Sequence, residues 1–123
     1  MQAQKILIVD DERAVLDLIS ELLNMEGYYI EKAGNGQEGL EKYKLFSPDI
    51  VIMDIEMPVM DGYESSSRIK SFDPEAKILV LTGNPNDSRA QRTLKEGIAF
   101  NLLKKPVRLK DLTQIIRENL PSS

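Results

Sequence analysis

Residues 5–27 read KILIVDDERAVLDLISELLNMEG, and the order of its two halves decides the fold. KILIV (5–9) is a short, continuous apolar run, as expected of a strand buried on both faces. AVLDLISELLNM then places Val15, Leu18, Leu22 and Met25 at helical spacing, with Gly27 set to cap the C-terminus. The pairing recurs down the chain. YYIEKA (28–33) reads as a second strand. The next helix is capped by Asn35, with Glu38 completing a capping-box-like pair, and stops at Ser47-Pro48. DIVIM (49–53) is a third strand, and MPVMDGYE leads to a helix capped by Asp61. KILVL (77–81) is a fourth. TGNPND follows as a loop with Pro85 suited to a first helical turn, then a helix from about Asp87 to Glu96 ending at Gly97. AFNLLK (99–104) is a fifth strand. RLKDLTQIIRENL is a last amphipathic helix using Leu109, Leu112, Ile116 and Leu120.

Five strand–helix units in succession force parallel pairing through right-handed crossovers. The expected architecture is α/β and doubly wound, an open parallel sheet with helices on both faces. Ligands in such sheets bind beyond the carboxyl ends of the strands. The informative loops therefore follow residues 9, 53, 81 and 104.

Composition narrows the chemistry. The chain has 123 residues, 41% hydrophobic, which suits one domain with a real core. With 16 basic and 20 acidic side chains the net charge is -4, which argues against a large nucleic-acid patch. Neither cysteine nor histidine occurs. That excludes disulfides, thiolate or imidazole metal sites and Ser-His-Asp triads. The start, MQAQKILIVDDE, has no signal-peptide core, and no run reaches transmembrane length, so a reducing, cytoplasmic setting is expected. Site chemistry must rest on carboxylates, lysine, hydroxyls and backbone groups, a set that favours magnesium.

The four loops carry that set. The first strand ends in Asp10, Asp11 and Glu12, the third in Asp54, the fourth in Thr82, the fifth in Lys104, Lys105 and Pro106. Each has an ordinary explanation alone: acids complement a helix dipole, a lone Asp turns or caps, a Thr fills a strand, lysines end one in solvent. Together they converge. Packed carboxylates repel unless a cation neutralises them. With Mg2+ bound, Asp54 is equipped to be both ligand and nucleophile toward phosphorus, becoming an acyl phosphate. Lys105 and Thr82 are placed to hold the outer phosphoryl oxygens by charge and by hydrogen bond.

ILIVDDE, IVIMDIEMPVMDG, ILVLTG and LLKKP resemble the receiver domains of two-component response regulators, in the family's order and at near-family spacing. The resemblance covers about residues 5–120 and implies one receiver domain across 1–123. It implies a flavodoxin-like (βα)5 sheet in the order 2-1-3-4-5. It also implies that Asp54 is the phosphoacceptor, that Asp11 and Asp54 touch Mg2+ directly and that Asp10 acts mainly through water. The backbone carbonyl of Glu56 would supply a further metal oxygen. Thr82 would be the switch hydroxyl and Lys105, before a cis Pro106, the site lysine; Pro106 favours Lys105 over Lys104 for that role. Glu56 and Asn84 would flank the water that removes the phosphate. Implied partners are a sensor histidine kinase or a histidine phosphotransfer protein, since the chain has no histidine, and an effector at the face of the fourth helix, fifth strand and fifth helix. Neither nucleic acid nor membrane is implied as a direct partner.

The stretch KAGNGQEGL (32–40) also contains G-x-G-x-x-G, the spacing of a dinucleotide-binding turn. The receiver pattern accounts for it otherwise. Gly36 serves a turn and Gly39 takes a small-residue helix position, and the strand before them is expected at the sheet edge, away from the switch point. Three departures stand out. Leu102 occupies the usual switch-aromatic position, with Phe100 two residues earlier. The Gly97–Lys105 interval is one residue longer than the family's spacing, which suggests a bulge. Ser65 and Ser66 replace the usual aliphatics, which suggests a thinly packed third helix, and RAQRTLKEG is poor in apolar residues. Two other functions share part of this pattern. A haloacid-dehalogenase-type phosphatase shares the chemistry, but it starts with its nucleophile in D-x-D and places the acid pair last. A receiver-like module without phosphate is disfavoured because all the site positions are filled.

Overall fold

The computed structural model describes residues 3–120; the first two and last three residues of the expected 1–123 domain, including the terminal PSS, lie outside it. Five strands, β1 (Lys5–Val9), β2 (Tyr29–Ala33), β3 (Ile50–Asp54), β4 (Ile78–Thr82) and β5 (Asn101–Lys104), alternate with five helices. These are α1 (Arg13–Met25), α2 (Gly36–Phe46), α3 (Gly62–Phe72), α4 (Ser88–Lys95) and α5 (Leu109–Asn119). The strands pair in parallel in the order 2-1-3-4-5. β3 and β4 are buried along their whole length, which is why they read as unbroken apolar runs.

Two apolar layers sandwich the sheet. Leu7, Val9, Val51, Met53, Ile78 and Val80 point toward α2, α3 and α4. Ile6, Ile8, Ile50, Ile52, Leu79 and Leu81 point toward α1 and α5, where Leu112, Ile116 and Leu120 are buried as expected. α1 departs from its expected stripe. Leu16, Ile19, Ser20 and Leu23 are buried, whereas Leu18 is 57% and Met25 78% exposed. So many apolar residues lie on this helix that spacing alone admits two faces, and contact with the sheet selects the one a residue further on.

Local chemistry fixes the helix ends. Asn35 Oδ1 accepts from the Glu38 N–H at 2.9 Å, while Glu38 Oε1 reaches back to the Gly34 N–H at 2.6 Å. Asp61 and Asp87 cap α3 and α4. Pro85 does not enter a helical turn; it lies in the turn before Asp87, which takes the cap instead. Gly27, at φ +99°, ends α1 in the left-handed region.

α2 and α3 meet closely. A Cβ on Gly36 would lie 2.3 Å from the Met60 carbonyl oxygen, and Ser65 Oγ donates to the Gly36 carbonyl at 2.8 Å. Gly36 therefore serves a close helix approach, and Gly39 packs on Val9; neither cradles a pyrophosphate. Ser65 and Ser66 are fully buried, so α3 is docked through small side chains and not loosely held. The bulge expected before Lys105 is absent, because β4 and β5 pair one-to-one from Leu79–Asn101 to Thr82–Lys104. Ahead of β5, the Ile98 and Ala99 N–H groups both donate to the Thr93 carbonyl after Gly97 at φ +70°.

Candidate functional site

Adjacent strand ends gather the predicted residues. Asp10 follows β1, Asp54 and Thr82 end β3 and β4, and Lys105 follows β5. Carboxylate oxygens of Asp10, Asp11 and Asp54 lie within 4.8 Å of one another. Asp10 and Asp54 are buried, while Asp11 faces out. Lys105 Nζ donates to Asp10 Oδ2 at 2.6 Å and stands 3.4 Å from Asp54 Oδ1, with Glu12 at 4.0 Å. The Lys105–Pro106 peptide is cis, as the resemblance implied. Lys104 is exposed on the strand, and Lys105 is the lysine that turns inward.

Asp54 is held on one side only. Its Oδ1 accepts from its neighbour's amide, Ile55 N–H, at 2.9 Å, on the same oxygen that Lys105 faces. Burial first, and then the charge of Asp10, push its carboxyl up to about 6, although Lys105 and the Ile55 N–H act the other way. Burial works against a charged Lys105, yet its hydrogen bond to Asp10 and the charges of Asp54 and Asp10 hold it above the ordinary lysine range. More negative charge thus faces this site than one ammonium offsets. That surplus of hard oxygen donors fits a divalent cation.

Thr82 is buried beside the acids, but its hydroxyl is engaged elsewhere. It donates to the Asn84 carbonyl at 3.3 Å and accepts from the Asn84 N–H at 3.1 Å. Glu56 and Asn84 are exposed and line the same cavity as Asp54, Thr82 and Lys105. Leu102 packs, half-buried, against the α2–α4 side of the core, whereas Phe100 precedes β5 and is 37% exposed.

Sequence reasoning missed two contributors. A Cβ on Gly62 would fall 1.9 Å from the Asp54 carbonyl oxygen, so only glycine lets α3 begin against the end of β3. The Asp-Gly pair signalled a cap but not this contact. Arg89 bridges the α4 cap Asp87, at 2.9 Å, and the α3 cap Asp61, at 3.6 Å. No local pattern announces a pairing between two separate helices.

A five-stranded parallel sheet bearing buried acids, a threonine and an inward lysine at its carboxyl edge defines a receiver-type α/β protein. The chain belongs to the response regulator receiver domain family, whose family model matches residues 6–117. It is 36% identical over 118 residues to a chemotaxis protein CheY of Halobacterium salinarum, covering 96% of this chain and 98% of the relative. Among solved structures, a CheY-like receiver domain protein of Methanospirillum hungatei superposes with a TM-score of 0.90 at 33% identity, covering 95% of this chain and 93% of the other. The response regulator TrrA of Thermotoga maritima, in complex with Mg2+-BeF, superposes with a TM-score of 0.85 at 35% identity, covering 95% and 99%. The protein is a response regulator receiver, a signalling domain of two-component systems. Among the described residues no helix is long and apolar enough to cross a membrane.

Proposed function

We propose that this chain, one receiver domain with its core at about residues 5–120, takes a phosphoryl group onto Asp54 from a phosphohistidine of a sensor kinase or phosphotransfer protein. One observation carries the reading: Asp54 is a buried carboxylate facing both Asp10 and Lys105 at the end of the central strand. Asp10, Asp11, Asp54 and the Glu56 carbonyl would hold Mg2+, which when bound neutralises charge between the acids and the incoming phosphoryl group. Ile55 N–H and Lys105 occupy Oδ1 of Asp54 and leave Oδ2 to attack phosphorus.

Lys105 then shifts part of its charge from Asp10 to a phosphoryl oxygen. The Thr82 hydroxyl leaves the Asn84 carbonyl to donate to another, drawing the β4–α4 loop with it. Glu56 and Asn84, at the cavity mouth, flank the water that later hydrolyses the acyl phosphate. Effector contact falls on the α4–β5–α5 face, with Leu102 in place of an aromatic, and the domain works in the cytoplasm. The test is intact mass after incubation with Mg2+ and acetyl phosphate or phosphoramidate. Wild type should gain roughly 80 Da, the mass of a PO3 group on an aspartyl nucleophile, and Asp54→Ala should not. A gain in both, or in neither, refutes the assignment.

A further inference from the structure

The cavity that holds Asp54 does not end at the charged residues. It measures about 710 Å³ and runs on between α1 and α5, where Val15, Leu18, Leu22, Val107 and Leu109 form its wall. The charged lining residues gather around Asp54 and Lys105, which are 3.4 Å apart: Asp11 in the acid cluster, Glu12 at 4.0 Å from Lys105, and Glu56 two residues along the chain from Asp54. The wall itself carries no charge. Leu18 is 57% exposed, so a large apolar side chain stands open in the cavity that Asp54 also lines. Sites for small molecules span roughly 300–1,000 Å³ and combine such walls with a few convergent polar groups.

We propose that this cavity takes acyl phosphates with an apolar acyl tail as direct phosphodonors, in preference to acetyl phosphate, the tail lying along the α1–α5 wall. The inference rests on Asp54 being the acceptor. The complementarity is in the two ends: an anionic phosphate meets Lys105, and an uncharged chain meets uncharged leucines and valines. One molecule touches both regions because a single cavity joins them. In the transfer step an Asp54 carboxylate oxygen attacks phosphorus with the divalent cation as co-reactant. A P–O bond to Asp54 forms as the P–O bond to the acyl oxygen breaks. The acyl group departs as a carboxylate with the bonding pair, and no proton or redox partner is required.

A chain-length series of acetyl, butanoyl and hexanoyl phosphate, with Mg2+ and intact-mass readout, tests the proposal on the wild-type chain. Four added methylenes, partly covered by the wall, should lower the half-saturating concentration on the order of tenfold from acetyl to hexanoyl. In Leu18→Asn, at an exposed position that leaves the core intact, that ratio should shrink to about threefold or less. A flat series in wild type overturns the proposal and leaves the wall as a surface for a protein partner's helix. An equally steep series in Leu18→Asn overturns it too. Hexylphosphonate, which transfers nothing, should shift the amide resonances of residues 15–22 and 107–112 where methylphosphonate does not, and equal shifts with both count against a tail site. If acetyl phosphate also fails to label wild type, the acceptor assignment itself falls, an outcome distinct from a flat series.

Discussion

Replacing Asp54 with Asn should stabilise the chain in the absence of divalent cations. Asp54 has its carboxyl raised from 3.8 to about 6, by burial first and by Asp10 second. Below the unfolded value both states are protonated and the site carries no penalty. As pH rises from about 4 to about 6 the unfolded chain releases this proton while the folded chain still holds it, so stability falls, and the loss is complete above about 6. The shift corresponds to about 3 kcal/mol at 1.36 kcal/mol per unit; solvent in the open cavity screens it to about 1–2 kcal/mol. Asn is nearly isosteric and keeps an oxygen for the Ile55 N–H, and Lys105 keeps Asp10 at 2.6 Å. Urea unfolding with chelator should therefore show the variant more stable by about 1–2 kcal/mol near pH 7.5, and the gap should close near pH 4. Mg2+ should then raise the wild-type midpoint far more than the variant's. A variant no more stable than wild type near neutral pH, or a gap that widens on acidification, would refute the account of trapped charge.

Four further substitutions test the frame around the site. Val59 is β-branched, 84% exposed and held at φ +70°, so Val59→Asn should raise stability by about 1 kcal/mol in urea unfolding. Gly62→Ala sets a methyl 1.9 Å from the Asp54 carbonyl oxygen; backbone cannot yield as a side-chain tip does, so stability should drop by about 3 kcal/mol or more and Asp54 labelling with it. Ser66 Oγ is buried without a hydrogen-bond partner and Ser65 Oγ donates to Gly36, so alanine should stabilise by about 1 kcal/mol at 66 and destabilise by about as much at 65. Paired thermal melts read the opposite signs directly.

The fold was legible because its signals are local and redundant. β3 and β4 are apolar up to their last residues, Asp54 and Thr82; Asn35, Asp61 and Asp87 mark the starts of three helices, and alternation makes the pairing parallel, while the order 2-1-3-4-5 came from the family resemblance. Asp10, Asp11, Asp54, Thr82 and Lys105 were legible because each ends or follows a strand, and the topology brings those ends together. What remained hidden depends on contacts between distant elements. The buried face of α1 is chosen by the sheet, since Leu18 and Leu22 are as apolar as Leu16 and Leu23. The use of Ser65 follows from the closeness of α2, and Arg89 finds Asp61 only once α3 and α4 lie side by side.

The Thr82 hydroxyl, buried at the end of β4, carries one hydrogen to give. It is given to the Asn84 carbonyl across 3.3 Å, a long hydrogen bond. A net value of about 1 kcal/mol for such a bond corresponds to an alternative orientation occupied on the order of a tenth of the time. If Thr82 is the switch hydroxyl, as proposed, the resting chain would carry a background level of output, and its signal would be a change in a ratio, not the throwing of a two-position lever.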